Sequence, residues 1–486
     1  MTIHEYRKCD NVIVYRPFVL LVMDEGRGQM IERIGKKLKN LLLILGVIGL
    51  TILSSHLAFA RDRDSSQARL EELKAKTGKG WQLKSSGGLV WMDPSDKRYW
   101  VSISGVIRID EALYMIKARD RQGATAATPG FPTGSHIRKA EVDIVGGIGQ
   151  DWNYTLGLDF ILGDSGSRFH FSDSWVAYSG LCDNLEIFIG RHSANWFGLE
   201  NSTSTSWYPF LERSAMSNAF YPGDGLGLLV DYWGDDFGFT FLALQPDHAN
   251  RLVVPDNTGR RYGDDKWLGL ARLSVAPIHE QGDVWHFGVS GVYRQNTAFL
   301  NGIGVNDFTF ATRPDSRGRN TAALVALVDT NGRPLQANRA YLFDVEFARQ
   351  CGPLLIEAEY ANAMVGRLGD TQNLGHIRVY GWNILAQYML TGEIHSYDVR
   401  DGNFGGIDVK TPCGAWEVAV RYDYLNLNDK NVRGGTEQDF TVGLNWYVNN
   451  NVRLSANYIR AYISPRLDAR KRTLDIIGAR LQIKFK

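Results

Sequence analysis

The stretch Trp416-Glu417-Val418-Ala419-Val420-Arg421-Tyr422-Asp423-Tyr424 decides the fold of this chain, because an apolar or aromatic side chain stands at every second position. This period of two predicts a β-strand with one apolar face. The same period returns at Phe440 to Val448, Val452 to Tyr458 and Ile477 to Phe485. The residues between the apolar ones are mostly charged or amide-bearing, which is typical of strands between a wet lumen and lipid. The pattern therefore predicts a transmembrane β-barrel rather than two packed sheets.

The composition agrees with a barrel. Aromatic residues make up 12% of the chain and Gly accounts for 51 of its 486 residues, which suits aromatic girdles and many tight turns. No apolar run after residue 60 reaches the length of a membrane-spanning helix. The part after residue 60 carries 46 Lys and Arg against 48 Asp and Glu, because 8 and 5 of the totals of 54 and 53 precede it. This near balance implies no nucleic-acid partner.

The N-terminal residues carry the pattern of a secretory signal peptide. Basic residues at 36, 37 and 39 precede the apolar run Leu41 to Leu53, and Ala58-Phe59-Ala60 is a small-x-small cleavage site. We therefore predict a signal peptide at residues 30–60, with a membrane anchor as the alternative. Residues 1–29 are interpreted as an upstream extension from a misplaced start, residues 61–98 as a short periplasmic segment, and residues 99–486 as the barrel.

From Tyr99 onward the sequence contains sixteen strand candidates, and an even number returns both termini to the periplasmic side. In the first strand, near 99–115, Ile107 and Ile109 are predicted to face outward and Arg108 and Asp110 inward.

Two connections are unusually long. The third external connection, Ser193 to Asp224, is rich in aromatic residues, so we predict that it folds inward and narrows the lumen; an ordinary surface loop is the alternative. The connection Ala298 to Asn338 is rich in Asp, Asn, Arg, Gly and Thr, and is predicted to be solvent-exposed.

The cysteines imply little chemistry. Cys9 lies in the upstream extension, and the remaining Cys182, Cys351 and Cys413 are all predicted near periplasmic turns. An odd number cannot all pair within one chain, although one disulfide would be permitted in that compartment. No CxxC or Cys/His spacing indicates a metal site, and no metal or other cofactor is expected.

Ordered phrases along the chain carry a family resemblance. They are Gly105-Val106-Ile107-Arg108-Ile109-Asp110, Ile137-Arg138-Lys139-Ala140-Glu141, Gly190 to Glu200, Phe210-Leu211-Glu212-Arg213, Ala271-Arg272-Leu273 before Pro277, His286-Phe287-Gly288-Val289-Ser290, Gly352-Pro353 before Glu357-Ala358-Glu359-Tyr360, Leu390-Thr391-Gly392-Glu393, Gly414-Ala415-Trp416-Glu417 and Thr441 to Tyr447. In these the chain resembles the phosphate-selective porins of the O and P type, trimeric outer-membrane channels of Gram-negative bacteria. The resemblance implies a homotrimer, and a ladder of lumenal arginines where phosphate is preferred. One departure is that Phe485 is followed by Lys486, whereas such barrels usually end on an aromatic residue.

The inward-facing positions do not predict such a ladder. The basic candidates are Arg108, Lys139, Arg272, Arg294, Arg421, Arg453, Arg480 and Lys484. The acidic candidates are Asp110, Glu141, Asp143, Asp159, Asp173, Glu186, Asp231, Asp344, Glu346, Glu357, Glu359, Glu417 and Asp423. Many of these charges would pair across strands. Besides Arg108, Lys139, Arg272 and Arg421, the candidates for pore-lining or constriction charges are Arg191 and His192 at the loop entrance, and Glu212 beside Arg213.

These observations predict a passive, water-filled channel for small hydrophilic solutes and inorganic ions, in contact with outer-membrane lipid. The alternative is an anion or phosphate channel, in which Arg191, Arg213, Lys139 and Arg108 would converge. A structural barrel or adhesin with a blocked lumen is a third reading. An outer-membrane hydrolase is a fourth, but the sequence has no nucleophile elbow and no HExxH motif, so we expect no enzyme.

Overall fold

The computed structural model describes residues 82–85, 89–92, 98–116, 133–160, 162–163, 166–167, 170–246, 264–300, 303–304, 307–308, 310–314, 323–328, 335–367, 375–468 and 470–485. The predicted upstream extension, signal peptide and C-terminal Lys486 lie outside these ranges. Inside them, two short strands, Gln82–Ser85 and Leu89–Met92, form a hairpin. It extends the sheet by pairing with the start of the first barrel strand, where Leu89 lies opposite Ile103. The sequence analysis did not predict this hairpin.

Sixteen antiparallel strands form a closed barrel, which confirms the predicted fold. They are β1 (Trp100–Ile116), β2 (Gly134–Ile148), β3 (Trp152–Asp159), β4 (His170–Cys182), β5 (Leu185–Ser193), β6 (Asp224–Trp233), β7 (Phe237–Pro246), β8 (Asp264–Glu280), β9 (Asp283–Leu300), β10 (Leu335–Cys351), β11 (Leu354–Arg367), β12 (Ile377–Met389), β13 (Ala415–Asp429), β14 (Val432–Tyr447), β15 (Val452–Ser464) and β16 (Arg472–Phe485). The barrel closes where β16 pairs with β1, with Phe485 opposite Gly105.

The connections contain shorter elements. Two helices, α1 (Leu199–Ser202) and α2 (Ala215–Phe220), lie between β5 and β6. The short strands in other connections are Leu162–Gly163, Gly166–Ser167, Ile303–Gly304, Asp307–Phe308, Ala311–Thr312, Val325–Ala326, Tyr397–Asp398 and Asn403–Phe404, and one 3-10 helix spans Arg466–Asp468. Among the described residues, no helix is long and apolar enough to cross a membrane.

The two faces of the barrel wall follow the alternation in the sequence. On β1, Ile107 and Ile109 are 46% and 43% exposed, whereas Arg108 and Asp110 are 4% and 5% exposed. The outward side chains are exposed because they would contact lipid, and the inward ones are buried because loops and neighbouring side chains fill much of the lumen. The predicted inward and outward phases of this strand agree with the structure.

A β-bulge on β2 changes the predicted inward set. Between β1 and β2 the register shifts, so that Arg108 lies opposite Lys139 but Ile109 lies opposite Ile137. The extra residue is Arg138, and its guanidinium contacts the loop inside the lumen. An extra residue in one strand re-aims a side chain, which an uninterrupted period of two cannot anticipate.

The described part of the connection between β9 and β10 corrects the prediction of a solvent-exposed loop. Phe310, Val325 and Leu327 are at most 1% exposed. The ring of Phe310 packs edge-on against Phe220 of α2, with centroids 5.5 Å apart. Most residues of this connection are polar, so the sequence analysis overlooked its few apolar ones. Burial of those apolar side chains holds the described part of the connection against the loop between β5 and β6.

The three cysteines after the predicted signal peptide all lie at the barrel end that carries Trp100 and Phe485. Cys182 and Cys351 end strands β4 and β10, and Cys413 precedes β13. All three are exposed and form no disulfide.

Candidate functional site: the constricted lumen

The connection between β5 and β6, residues 194–223, lies inside the barrel and is called the inward loop below. It carries α1 and α2, and its aromatic residues Tyr208, Phe210 and Phe220 are at most 2% exposed. The ring of Phe210 is packed beneath the guanidinium of Arg421 from β13, 4.8 Å from the ring centroid. Burial of these rings holds the loop against the wall, which confirms the predicted inturned third loop.

Glu200, in α1, is the centre of the inward loop. Its Oε1 accepts hydrogen bonds from the backbone N–H of Ser214 at 2.6 Å and from Arg421 at 3.2 Å. Its carboxylate also accepts from the hydroxyls of Tyr208, Ser214 and Ser217. Burial alone raises the pKa of Glu200, but Arg421 and these hydroxyls hold that pKa below its usual value. One buried carboxylate therefore joins α1, the start of α2 and the barrel wall.

Arginines of the wall bind the backbone and hydroxyls of the same loop. Arg108 donates to the side chains of Thr205 at 2.8 Å and Ser206 at 3.0 Å. Arg453 donates to the carbonyl of Tyr208 at 3.1 Å, and Arg421 to the carbonyl of Glu212 at 3.1 Å. A guanidinium with five donors can saturate several such oxygens, and here those donors hold the loop.

Glu212 ties the inward loop to β2. Its carboxylate receives two hydrogen bonds from Arg138, at 2.6 and 3.2 Å. Arg480 of β16 lies 3.8 Å from the same carboxylate and makes a two-point pair with Asp110 of β1, at 2.7 Å on each side. Arg138 and Arg480 are thus each paired with a carboxylate, Glu212 and Asp110 respectively.

Arg213 closes the inward loop on itself. Its guanidinium donates to the carbonyls of Glu200, Asn201 and Thr203, at 3.0, 2.8 and 3.1 Å. The loop enters α1 through Gly198, whose φ of 86° is the left-handed conformation that glycine adopts most easily. A Cβ at Gly198 would also come within 3.0 Å of the Glu359 carboxylate on the wall.

A second segment enters the lumen from the opposite end. Residues 390–414 connect β12 and β13, and this 390–414 segment contacts both the wall and the inward loop. Arg272 of β8 donates to the carbonyls of Asp401 at 2.7 Å and Gly402 at 2.8 Å, and Asn403 donates to the carbonyl of Ser202 at 3.0 Å. The lumen is therefore narrowed from both ends by two segments that touch.

The wall arginine Arg272 is neutralised where it holds this segment. It makes a two-point pair with Glu346 of β10, at 2.8 and 2.6 Å. His286 lies 3.1 Å from the same carboxylate, and its other ring nitrogen contacts the hydroxyl of Tyr397, 2.8 Å away in the 390–414 segment.

Arg400 anchors the tip of the 390–414 segment to strands β5 and β6. Its guanidinium donates to the carboxylates of Glu186 and, at 3.3 Å, Asp231. It lies over the ring of Trp233, with its Cζ 4.3 Å from the centroid. Two carboxylates and an aromatic ring around one guanidinium form a strong contact.

Beside Arg400 the lumen retains an open cavity of about 400 Å³, called the lumen cavity below. It is lined by Trp175, Glu186, Phe188, His192, Trp196, Leu229, Asp231, Asp398, Arg400 and Asp401. Four carboxylates thus face one guanidinium. Partial burial, together with the neighbouring Asp398 and Asp231, raises the pKa of Asp401 to about 6, so this half-exposed carboxylate is still mostly ionised at pH 7.

The structure separates the predicted site residues into groups. Four of them, Arg108, Glu212, Arg213 and Arg421, meet at the inward loop, whereas Arg272 holds the 390–414 segment. His192 is 2% exposed and lines the lumen cavity.

Two predicted residues lie apart from these groups. Lys139 keeps its predicted inward phase, opposite Arg108 of β1, and pairs with Glu141 on its own strand at 2.5 Å. Arg191 lies on the outward phase of β5, beside Leu226, which is 64% exposed, and pairs with Asp224 at 3.4 Å. The expectation that Arg191 faces the constriction does not fit this placement, because the register of β5 turns its neighbour His192 inward.

Three further residues were not anticipated from the sequence. Arg138 turns inward only because of the bulge, and Arg400 lies in a connection that was not recognised as long. Glu200 was quoted only within a family phrase. The several Ser residues and Tyr208 that follow it are a signal that could have marked a buried acid with local donors.

A family model described as phosphate-selective porin O and P matches residues 121–485. The chain belongs to this family. Porin O of Pseudomonas aeruginosa is 26% identical over 398 residues, which cover 78% of this chain and 86% of that protein. An uncharacterised protein of Caulobacter vibrioides is 32% identical over 376 residues, which cover 73% of this chain and 69% of that protein.

Among solved structures, the outer-membrane channel DcaP of Acinetobacter baumannii aligns with a TM-score of 0.51 at 10% identity, covering 80% of this chain and 97% of that one. This likeness supports the fold. The family assignment and the similarity to Porin O identify this chain as an outer-membrane porin of a Gram-negative bacterium, a water-filled channel for small hydrophilic solutes and ions. The family is one of channels rather than enzymes.

Proposed function

We propose that this porin is a general diffusion channel without a phosphate site, whose size limit is set by the inward loop and the 390–414 segment. We propose Arg108, Glu212, Arg213 and Arg421 as residues that shape the constriction, and Arg272 as the residue that fixes the second segment. In this role they act by holding the two segments and leave solute recognition to other groups. We assign the protein no chemical reaction.

The observation that carries this proposal is the engagement of the interior arginines. A phosphate ion leaving bulk water needs several convergent cationic donors. Here Arg272 and Arg480 have two-point carboxylate partners, and Arg138 has Glu212. The guanidinium of Arg213 donates its hydrogen bonds to carbonyls of the inward loop. These donors already have oxygen partners within the protein, so a phosphate would have to displace them.

The open space beside Arg400 argues against a structural barrel with a blocked lumen. Between the inward loop, the 390–414 segment and strands β4 to β6, the lumen cavity provides open space of about 400 Å³ lined by charged side chains. An open space of this size, lined in part by charged side chains, suits the passage of small solutes.

We also propose that the protein acts as a homotrimer in contact with outer-membrane lipid. The support is the family resemblance and the apolar outer wall, where Ile148, Trp152 and Ile189 are 54%, 50% and 66% exposed around one outward groove. Native electrophoresis of the folded protein tests the oligomeric state.

The test of the proposed function is the reversal potential of the refolded protein in a planar bilayer under a KCl gradient, repeated with added inorganic phosphate. We expect weak selectivity that favours cations and an unchanged conductance in phosphate. A strong anion preference with block by phosphate would overturn the proposal in favour of the phosphate channel. An absence of conductance from folded protein would favour the structural barrel.

A further inference from the structure

We propose that the lumen cavity is a binding subsite for small organic cations, meaning solutes that carry a guanidinium or ammonium group on a short apolar body. This inference rests on the proposed function and adds a class of solute to it. It is supported by the negative charge of the cavity, by the contacts that the cavity makes with the guanidinium of Arg400, and by Nε2 of His192, which has no hydrogen-bond partner among the described residues.

The charge of the lumen cavity is strongly negative. Glu186 and Asp231 come from the wall, where they are 8% and 4% exposed. Asp398 and Asp401 come from the 390–414 segment, and the side chain of Asp401 is 47% exposed. Against these four carboxylates Arg400 supplies one positive charge. Carboxylates in a narrow space with low-dielectric walls concentrate cations there.

Arg400 illustrates the chemistry that the wall recognises. The wall offers its guanidinium two carboxylates, Glu186 and Asp231, and two aromatic rings, Trp233 at 4.3 Å and Phe188 at 5.8 Å from Cζ. Arg400 itself lies on the 390–414 segment and not on these strands. Strands β5 and β6 therefore present a surface that binds a guanidinium supplied from elsewhere.

The remainder of the cavity has room and contacts for a second cation. Trp175 and Trp196 provide further aromatic surface next to the carboxylates. His192 is 2% exposed, and its Nε2 has no hydrogen-bond partner among the described residues. A neutral imidazole has one acceptor nitrogen, which an N–H group of a solute could use. A volume of about 400 Å³ accommodates a small molecule.

Agmatine is the probe for this inference, because it carries a guanidinium and an ammonium group on a four-carbon chain. The measurement is the block of K⁺ current through single channels in a planar bilayer as agmatine is added. Glucose at the same concentrations is the neutral comparison, because a sugar also stacks on Trp. We expect agmatine to interrupt the current at millimolar concentrations and glucose to have no such effect.

Variants assign the block to the cavity. The double variant Asp398→Asn/Asp401→Asn removes two carboxylate charges of the cavity while Glu186 and Asp231 keep their contacts with Arg400. It should weaken agmatine block by about tenfold or more, since charge-assisted contacts are lost. Asp183→Asn removes an exposed carboxylate from the neighbouring β4–β5 turn and should leave the block unchanged. Trp196→Leu keeps every charge and should weaken the block more than it shifts the reversal potential. The Trp196 variant also keeps the test decisive if the double variant does not fold.

Two results would overturn the inference. One is the absence of agmatine block in a channel that conducts K⁺; the other is a block of equal strength in the wild type, the double variant and the Trp196 variant. Either result would leave a general porin intact. The proposed function fails separately, through anion preference and phosphate block in the salt-gradient experiment.

Discussion

At the scale of single residues, Glu200 couples the inward loop to the barrel. It lies 14 residues before Ser214 in the chain and 221 before Arg421, and it binds both. A buried carboxylate with this many donors is stable only while the donors stay in place, since an unpaired buried charge costs several kcal/mol. The loop and the wall arginine therefore stabilise each other.

We expect Glu200→Gln to loosen the inward loop without unfolding the barrel. Removing the charge should weaken attachment of the loop to the wall by about 3 kcal/mol, since bonds to a charged partner are lost and Arg421 loses one of its carboxylates. The measurement is limited proteolysis of the folded protein, read as cleavage within residues 194–223, together with single-channel current noise.

The control for this change is Glu280→Gln, at an exposed position at the end of β8. It should give the cleavage pattern and current noise of the wild type. If Glu200→Gln were as resistant to protease as this control, Glu200 would not be the residue that holds the loop.

At the scale of elements, two inturned segments narrow the lumen from opposite ends. The inward loop is held by strands β13 to β16, including Asn445 of β14 through the carbonyl of Pro209, and by β1 and β2. The 390–414 segment is held by β5, β6, β8 and β9. Asn403 bridges the two segments through the carbonyl of Ser202 at 3.0 Å. The width of the passage thus depends on contacts between side chains and loop backbone, more than on the number of strands.

We expect Arg400→Gln to release the tip of the 390–414 segment. Without the guanidinium, Glu186 and Asp231 lose their shared partner and repel each other, so the tip should move away from β5 and β6. Single-channel recordings should then give a larger conductance and a stronger cation preference. Arg433→Gln, at an exposed position near the start of β14, is the matched control. An unchanged conductance in Arg400→Gln would mean that the segment does not limit the passage.

The sequence predicted one of these two segments and missed the other. Residues 194–223 stood out because aromatic residues interrupt a long connection. Residues 390–414 carry no comparable sign: Arg400 and Asp401 look like ordinary polar connection residues until the fold brings them to Glu186 and Arg272. Such contacts join residues some 130 to 210 positions apart, and no local pattern encodes them.

At the scale of the whole molecule, the barrel depends on the seam between its first and last strands. Phe485 lies opposite Gly105. A Cβ at Gly105 would lie 2.8 Å from the Phe485 ring and 2.6 Å from the carbonyl oxygen of Glu141. Glycine is therefore needed here for the close approach of three strands, β16, β1 and β2.

We expect Gly105→Ala to destabilise the closed barrel by about 1–3 kcal/mol, the usual cost of forcing an extra methyl group into a packed site. The measurement is the urea concentration at the midpoint of unfolding, with the folded fraction read from the gel mobility of unheated samples. Gly269→Ala on β8 is the matched control, because a Cβ there would meet no atom within 4 Å. Equal midpoints for the two variants would contradict this account of the seam.

The sequence by itself determined the barrel, its sixteen strands, the phase of β1 and the inturned third loop, because period-two alternation and an aromatic-rich connection are local signals. Only the tertiary structure decided which charged side chains face the lumen and which partners they pair with. The bulge at Arg138, the outward placement of Arg191 and the pairing of Arg400 with Glu186 each depend on register and on distant segments. Charge pairing acts through space at a few ångströms, whereas a sequence pattern records only neighbours along the chain.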